Sequence, residues 1–194
     1  MSLWGSSSSD ESKPKNLTTA DKAEVYANES GWVVRAGSKL TGNGNTSATP
    51  EVLVTLGGLS TALAAASISS TQFDISEFDV SAGGTLSATV NYNEQVTVVG
   101  SPTIVVSNSR AGGGSAATLT LTKSAATANS ITFTLVVGAA GSTISADDVL
   151  SIGAQNVALA GGTIKDTAAA TDTNALVAIS AGAGSIAGTI TAIA

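Results

Sequence analysis

The sequence predicts an all-β protein: an N-terminal extended arm and β-hairpin region, followed by an antiparallel β-sandwich. Three observations carry that expectation. Only 11% of residues are charged while 43% are apolar, mostly Ala, Val, Ile and Leu, and amphipathic helices need more charge than that on their outer faces. Apolar residues alternate with Ser, Thr and Asn at period two in several separate runs. Those runs recur at intervals of roughly 10–15 residues, with Gly, Asn and Ser between them.

Residues 1–31 show almost no apolar periodicity and read as an extended arm, with one helical turn near Thr19–Ala27. Thr18 or Thr19 is placed to cap that turn, and Asp21 falls in its first turn, where the helix dipole favours an anion. "GWVVRA" (31–36) and "PEVLVTLGGL" (50–59) are strand-like and flank a Gly/Asn/Ser/Thr cluster, which reads as a hairpin with a long loop. "STALAAASISS" (60–70) is a small-residue bridge, helical or extended. The expected division is therefore 1–31 arm, 32–70 docking hairpin and linker, and 71–194 sandwich.

Within the last part, Leu86, Ala88, Val90 and Tyr92 share one face of a strand. "TIVVSN" follows Pro102, Leu119 and Leu121 share a face, and so do Ile131, Phe133, Leu135 and Val137. "NALVAIS" supplies one more strand, and "GSIAGTITAIA" ends the chain in the same alternation.

Composition narrows the chemistry. With no Cys and no His, thiolate nucleophiles, disulfides, histidine acid–base catalysis and the usual zinc sites are excluded. The net charge of −6, with eight Lys and Arg, speaks against nucleic-acid binding, which rests on basic clusters. No apolar run is long enough to span a membrane as a helix. The start lacks the basic and apolar regions of a secretory signal, so synthesis in a cytosol is expected. Residues 1–50 balance five basic against five acidic side chains, whereas 51–194 carry three against nine; the halves are expected to do different jobs.

Two resemblances sharpen this. Asn93-Glu94-Gln95-Val96, Gly100-Ser101-Pro102-Thr103-Ile104 and Ala160-Gly161-Gly162-Thr163-Ile164-Lys165-Asp166 occur in the order found in Ig-like repeats of bacterial surface and phage proteins. The segment from about 72 to 180 resembles those repeats, which implies an Ig-like sandwich and leaves function open. "MSLWG…SKPKNL" with "GWVVR…PEVLV" is similar to the N-termini of small virion structural proteins of marine tailed phages. That likeness implies a chain present in many copies or as a homo-oligomer, made in the host cytoplasm and held on the virion by the major capsid protein or another virion protein. The expected role is a capsid decoration or cement protein that stabilises the shell. A tail- or fibre-associated protein is the alternative, and so is a bacterial surface adhesin or carbohydrate-binding module.

The candidate partner-docking residues are Trp4, Lys13, Pro14, Lys15 and Trp32. Trp4 stands in a polar arm, where it is an anchor for a partner, a plug in the protein's own body or an incidental residue. Lys13 and Lys15 flank Pro14, which stiffens the arm, and they either meet an acidic patch or are solvated. The acidic groups Asp74/Glu77/Asp79, Asp147/Asp148 and Asp166/Asp172 lack the spacing of an EF-hand loop and read as loop carboxylates. Paired-carboxylate glycoside hydrolysis would need a cleft and sugar platforms that so few aromatic residues do not supply. "GNGN" and "AGGGSA" lack the lysine and following helix of a phosphate loop and read as turns, while "TLTLT" and "TITAIA" are uncharged and β-prone. No enzyme activity, cofactor or metal is expected.

Overall fold

The computed structural model describes residues 13, 14, 16–59, 63, 65–139, 143–167, 173–180 and 188–194. The expected helical turn is α1 (Thr19–Ala23), and Thr18 is its cap. Thr18 Oγ1 accepts the Asp21 N–H at 3.2 Å, and the Asp21 carboxylate accepts the Thr18 N–H at 3.3 Å. Each satisfies one of the donors that a helix start leaves open. Five residues are too few to hold a helix alone, so α1 exists because it packs against the strand that comes after it.

That strand belongs to a three-stranded antiparallel sheet in the order β1 (Val25–Asn28), β2 (Gly31–Val34), β3 (Glu51–Thr55). The long-loop hairpin appears as expected, with β2 pairing β3 across residues 35–50 and a bulge between Trp32 and Val33. β1 lies inside the span read from sequence as an arm. Its Val25-Tyr26-Ala27 run is too short to show a period, and it becomes a strand by pairing Val25 to Val34 and Ala27 to Trp32. All four residues of β2 are buried. Alternation puts Trp32 and Val34 on one face, where they form a small core with Val25, Ala27, Leu59 and Leu63.

The other described elements are strands: β4 (Ile68–Phe73), β5 (Glu77–Asp79), β6 (Gly84–Tyr92), β7 (Val96–Val99), β8 (Thr103–Asn108), β9 (Thr118–Ala126) and β10 (Ser130–Val137). β11 (Val149–Ser151), β12 (Gln155–Asn156), β13 (Thr163–Asp166), β14 (Thr173–Asn174), β15 (Ala178–Ile179) and β16 (Ile190–Ile193) complete it. β4 straddles the expected 70/71 boundary. Eight strands form one sheet, β4-β6-β10-β9-β8-β11-β16-β5, and β14-β13-β7 and β12-β15 form two smaller ones. β4 and β5 sit at opposite ends of the large sheet, yet only residues 74–76 separate them. Laid flat, eight strands would hold those ends about 34 Å apart, whereas the linking chain reaches at most about 14 Å. The sheet is therefore rolled, and the result is an all-β, sandwich-like body.

Its core holds the faces the alternation names, together with Ile104 and Val106 of β8. Leu86, Ala88, Val90, Tyr92, Ile104, Val106, Leu119, Leu121, Ile131, Phe133 and Val137 are all buried together, with Leu135 partly buried against them. The chain end also behaves as expected: Ile190 and Ala192 of β16 enter the core, although β16 pairs β5 in parallel. "NALVAIS" is not one strand. Its backbone crosses between sheets, with Ala175 N–H donating to Ile164 O, Leu176 N–H to Ala66 O and Val177 O accepting from Val157 N–H. No helix among the described residues is long and apolar enough to cross a membrane.

Candidate docking unit and the groove behind it

Residues 13, 14 and 16–59 form a unit seated on the sandwich at the Asn93–Val96 element. There the chain leaves β6 in the large sheet and enters β7 in a small one. Ala27 N–H donates to Asn93 O at 2.8 Å, and Ala27 bridges Glu94 in parallel. The Asn93 side chain accepts Ser67 N–H at 2.7 Å, and Asn129 Nδ2 reaches Ala23 O and Tyr92 O at 3.4 and 3.2 Å. Glu94 is fully buried in this joint. The Asn93-Glu94-Gln95-Val96 motif is thus also the seat of the N-terminal unit.

Three of the five candidate docking residues are described, and all three serve the protein's own body. Trp32 is 1% exposed and is the largest member of the small core. Pro14 is buried. Lys13 Nζ donates to Lys22 O at 2.7 Å and to Ser69 Oγ at 3.4 Å, tying the foot of the arm to α1 and β4. The reading of these side chains as partner contacts gives way to an internal role, because each is covered or bonded where it stands. Trp4 and Lys15 lie outside the described residues.

Burial, then the nearby Lys22 and Arg35 charges, lower the Lys13 pKa to about 7. A folded pKa below the usual amine value near 10.4 means the seated arm binds fewer protons than the detached one between about pH 7 and pH 10. The contact should therefore tighten as pH rises through that window and stay at its weakest below it. We expect the thermal midpoint to rise from pH 7 to pH 9.5, and to lose that rise in Lys13→Met. A wild-type midpoint that falls over this range would contradict the assignment.

The surface that remains open to a partner is β3. The strand order puts β1 at the joint and β3 at the free edge, and no bridge occupies its outer side among the described residues. Val52 is 44% exposed and Leu53 37%, and Leu40 in a loop of the same unit is 37% exposed. Such an edge presents backbone donors and acceptors next to apolar side chains. The single charge on the strand is Glu51.

Between the unit and the sandwich run two adjoining cavities of about 540 and 330 Å³. They share a wall of Glu24, Arg35 and Thr127. Arg35 Nη1 donates to Ser130 Oγ at 2.8 Å, Nη2 lies 3.9 Å from Glu24 Oε1, and Glu24 accepts from Ser38 Oγ.

The acidic groups have structural duties. Asp74 accepts from Ser87 Oγ at 2.6 Å and Thr89 Oγ1 at 3.0 Å, and Asp79 receives the Ser81 and Ala82 N–H groups. Asp166 accepts Ala66 N–H at 3.0 Å. Asp148 is fully buried and gathers the 108–114 loop and Ser145 around itself. Asp172 lies outside the described residues. Among the described residues no three His, Cys, Asp or Glu side chains are grouped to hold a metal.

No protein-family model matches this chain, and no curated protein or solved structure matches it either.

Proposed function

We propose that this chain is a bacteriophage virion structural protein, a decoration protein of the capsid exterior that is held by its N-terminal unit and displays an Ig-like sandwich. The observation that carries the reading is the free apolar edge of β3 on a unit seated at one side of an acidic sandwich. It joins the likeness of the arm to virion proteins given by "MSLWG" and "SKPKNL". A strand of the capsid protein adds to β3 through main-chain bonds, and Val52 and Leu53 are covered by it. Trp4, carried ahead of the unit, supplies a second anchor. Many copies, each adding buried area across capsomer seams, stabilise the shell by mass action.

The test is quantitative mass spectrometry of purified particles, with occupancy by the wild type compared to variants. Hundreds of copies per particle are expected for a decoration protein; few copies would move it to the tail, and absence would refute the virion reading. Leu53→Lys and Trp4→Ala should each leave the thermal midpoint of the free protein within a degree or so of wild type. Both should reduce occupancy, by about 2–4 kcal/mol per copy if the side chain is a central contact, or about 30- to 1,000-fold in affinity. If Trp4→Ala lowered the midpoint and left occupancy intact, Trp4 would be a plug in its own body.

A further inference from the structure

The groove between the N-terminal unit and the sandwich has no part in attachment through β3, and its chemistry points to a ligand of its own. We propose that this groove, with the Arg35–Glu24 pair at its centre, is a binding site for a neutral oligosaccharide.

The size comes first. The larger lobe, at about 540 Å³, and the smaller, at about 330 Å³, both fall in the range of small-molecule sites. They share Glu24, Arg35 and Thr127, and each is large enough for a sugar unit.

The wall decides the ligand class. The smaller lobe is lined by Thr89, Thr132, Ser130, Gln72, Asp74 and Asn91. Thr89 and Thr132 hydroxyls lie 3.1 Å apart, and those of Thr127 and Ser130 lie 2.6 Å apart. Hydroxyls both donate and accept, so a row of them matches a ligand whose own groups do both, as vicinal sugar hydroxyls do. The larger lobe adds Ala48, Pro50 and Ala126, small apolar surfaces on which the C–H face of a pyranose can lie. An apolar ligand would strip water from the hydroxyl row without replacing its hydrogen bonds.

Charge excludes anions. Among the described residues Arg35 is the one cation lining the groove, and it already faces Glu24, while Asp74 adds a second carboxylate. A phosphate or uronate would meet two carboxylates and one engaged guanidinium.

The experiment is an amide NMR titration of the full chain with maltohexaose, cellohexaose and chitohexaose, and with an oligogalacturonate of similar length as the anionic comparison. At least one neutral hexasaccharide should saturate, with shifts concentrated at residues 24–38 and 126–132 and weaker binding of the oligogalacturonate. Thr132→Val and Thr127→Val keep a β-branched side chain of similar shape, so their spectra should show an intact fold. Each should weaken binding about tenfold or more, as expected when a hydroxyl-recognising site loses a partner. The proposal is overturned if no neutral hexasaccharide binds up to about 10 mM, a ceiling far above useful affinity. Shifts that map elsewhere, tighter binding of the anion, or wild-type affinity in both variants would overturn it too. So would a spectrum in which deleting residues 1–12 shifts the groove residues without sugar, since the arm would then be the occupant. Particle occupancy is measured separately, so failure of one reading leaves the other standing.

Discussion

Trp32→Ala should melt the N-terminal unit while the sandwich stays folded. Trp32 is 1% exposed and sits in a small core with Val25, Ala27, Val34, Leu59 and Leu63. Truncating a buried Trp or Phe costs about 3–5 kcal/mol, and a core of this size has few neighbours able to close the void. The larger core around Tyr92, Phe133 and Leu121 is a separate cluster, and its strands pair with one another rather than with β2. Two cooperative transitions are expected in thermal unfolding of the variant, and one in the wild type. Methyl signals from β6, β9 and β10 should persist at temperatures where those of residues 25–34 have collapsed. Particle occupancy should vanish with the unit. A single transition at the wild-type midpoint would mean that the unit does not depend on this side chain.

Trp32 also shows where the sequence was readable and where it was not. In β6, β9 and β10 one face is buried and the other meets solvent, so the alternation of Leu86, Val90, Leu121 and Phe133 with Ser, Thr and Asn is written directly in the chain. "GWVV" has no alternation because both of its faces are covered. An uninterrupted apolar run of that length belongs to a strand buried on both sides, which is the signal that places Trp32 inside and not on a docking surface. β1 was hidden for a different reason: three apolar residues carry no period, and only the partner strand gives them a conformation. The groove was hidden too. Gln72, Asn91 and Thr132 are far apart in sequence and meet only through the pairing of β4, β6 and β10.

The same limit applies to Asp148, and the second large effect is expected there. Read alone, "AGGGSA" is a turn and Asp147 and Asp148 are loop carboxylates; folded, the turn and Asp148 are one structure. Asp148 is fully buried and accepts Asn108 Nδ2 at 2.8 Å, Gly112 N–H at 2.8 Å and Ser145 N–H at 2.9 Å. Burial by itself raises a carboxyl pKa, but the bonds from Ser145, Asn108, Gly112 and Gly114 outweigh it and hold Asp148 below the usual carboxylate range. The glycines are required by closeness: a Cβ on Gly112 would lie 1.5 Å from Ala146 O, and one on Gly114 2.1 Å from Asp148 Oδ2. Asp148→Asn keeps the shape but turns one acceptor edge into a donor facing donors. Asp148→Ala removes both edges. At about 1–3 kcal/mol for each buried donor left unpartnered, two such donors already cost about 2–6 kcal/mol, and Asn should cost less than Ala. Because the folded pKa is lowered, the stabilisation is present above the unfolded value near 3.9 and is lost as pH falls through the folded one. The gap between wild type and Asp148→Asn should therefore be full at pH 7 and should shrink below about pH 4. The check is chemical denaturation of both proteins at pH 7 and pH 3. A gap that is the same at both, or absent at pH 7, would show that the carboxylate does not organise the loop.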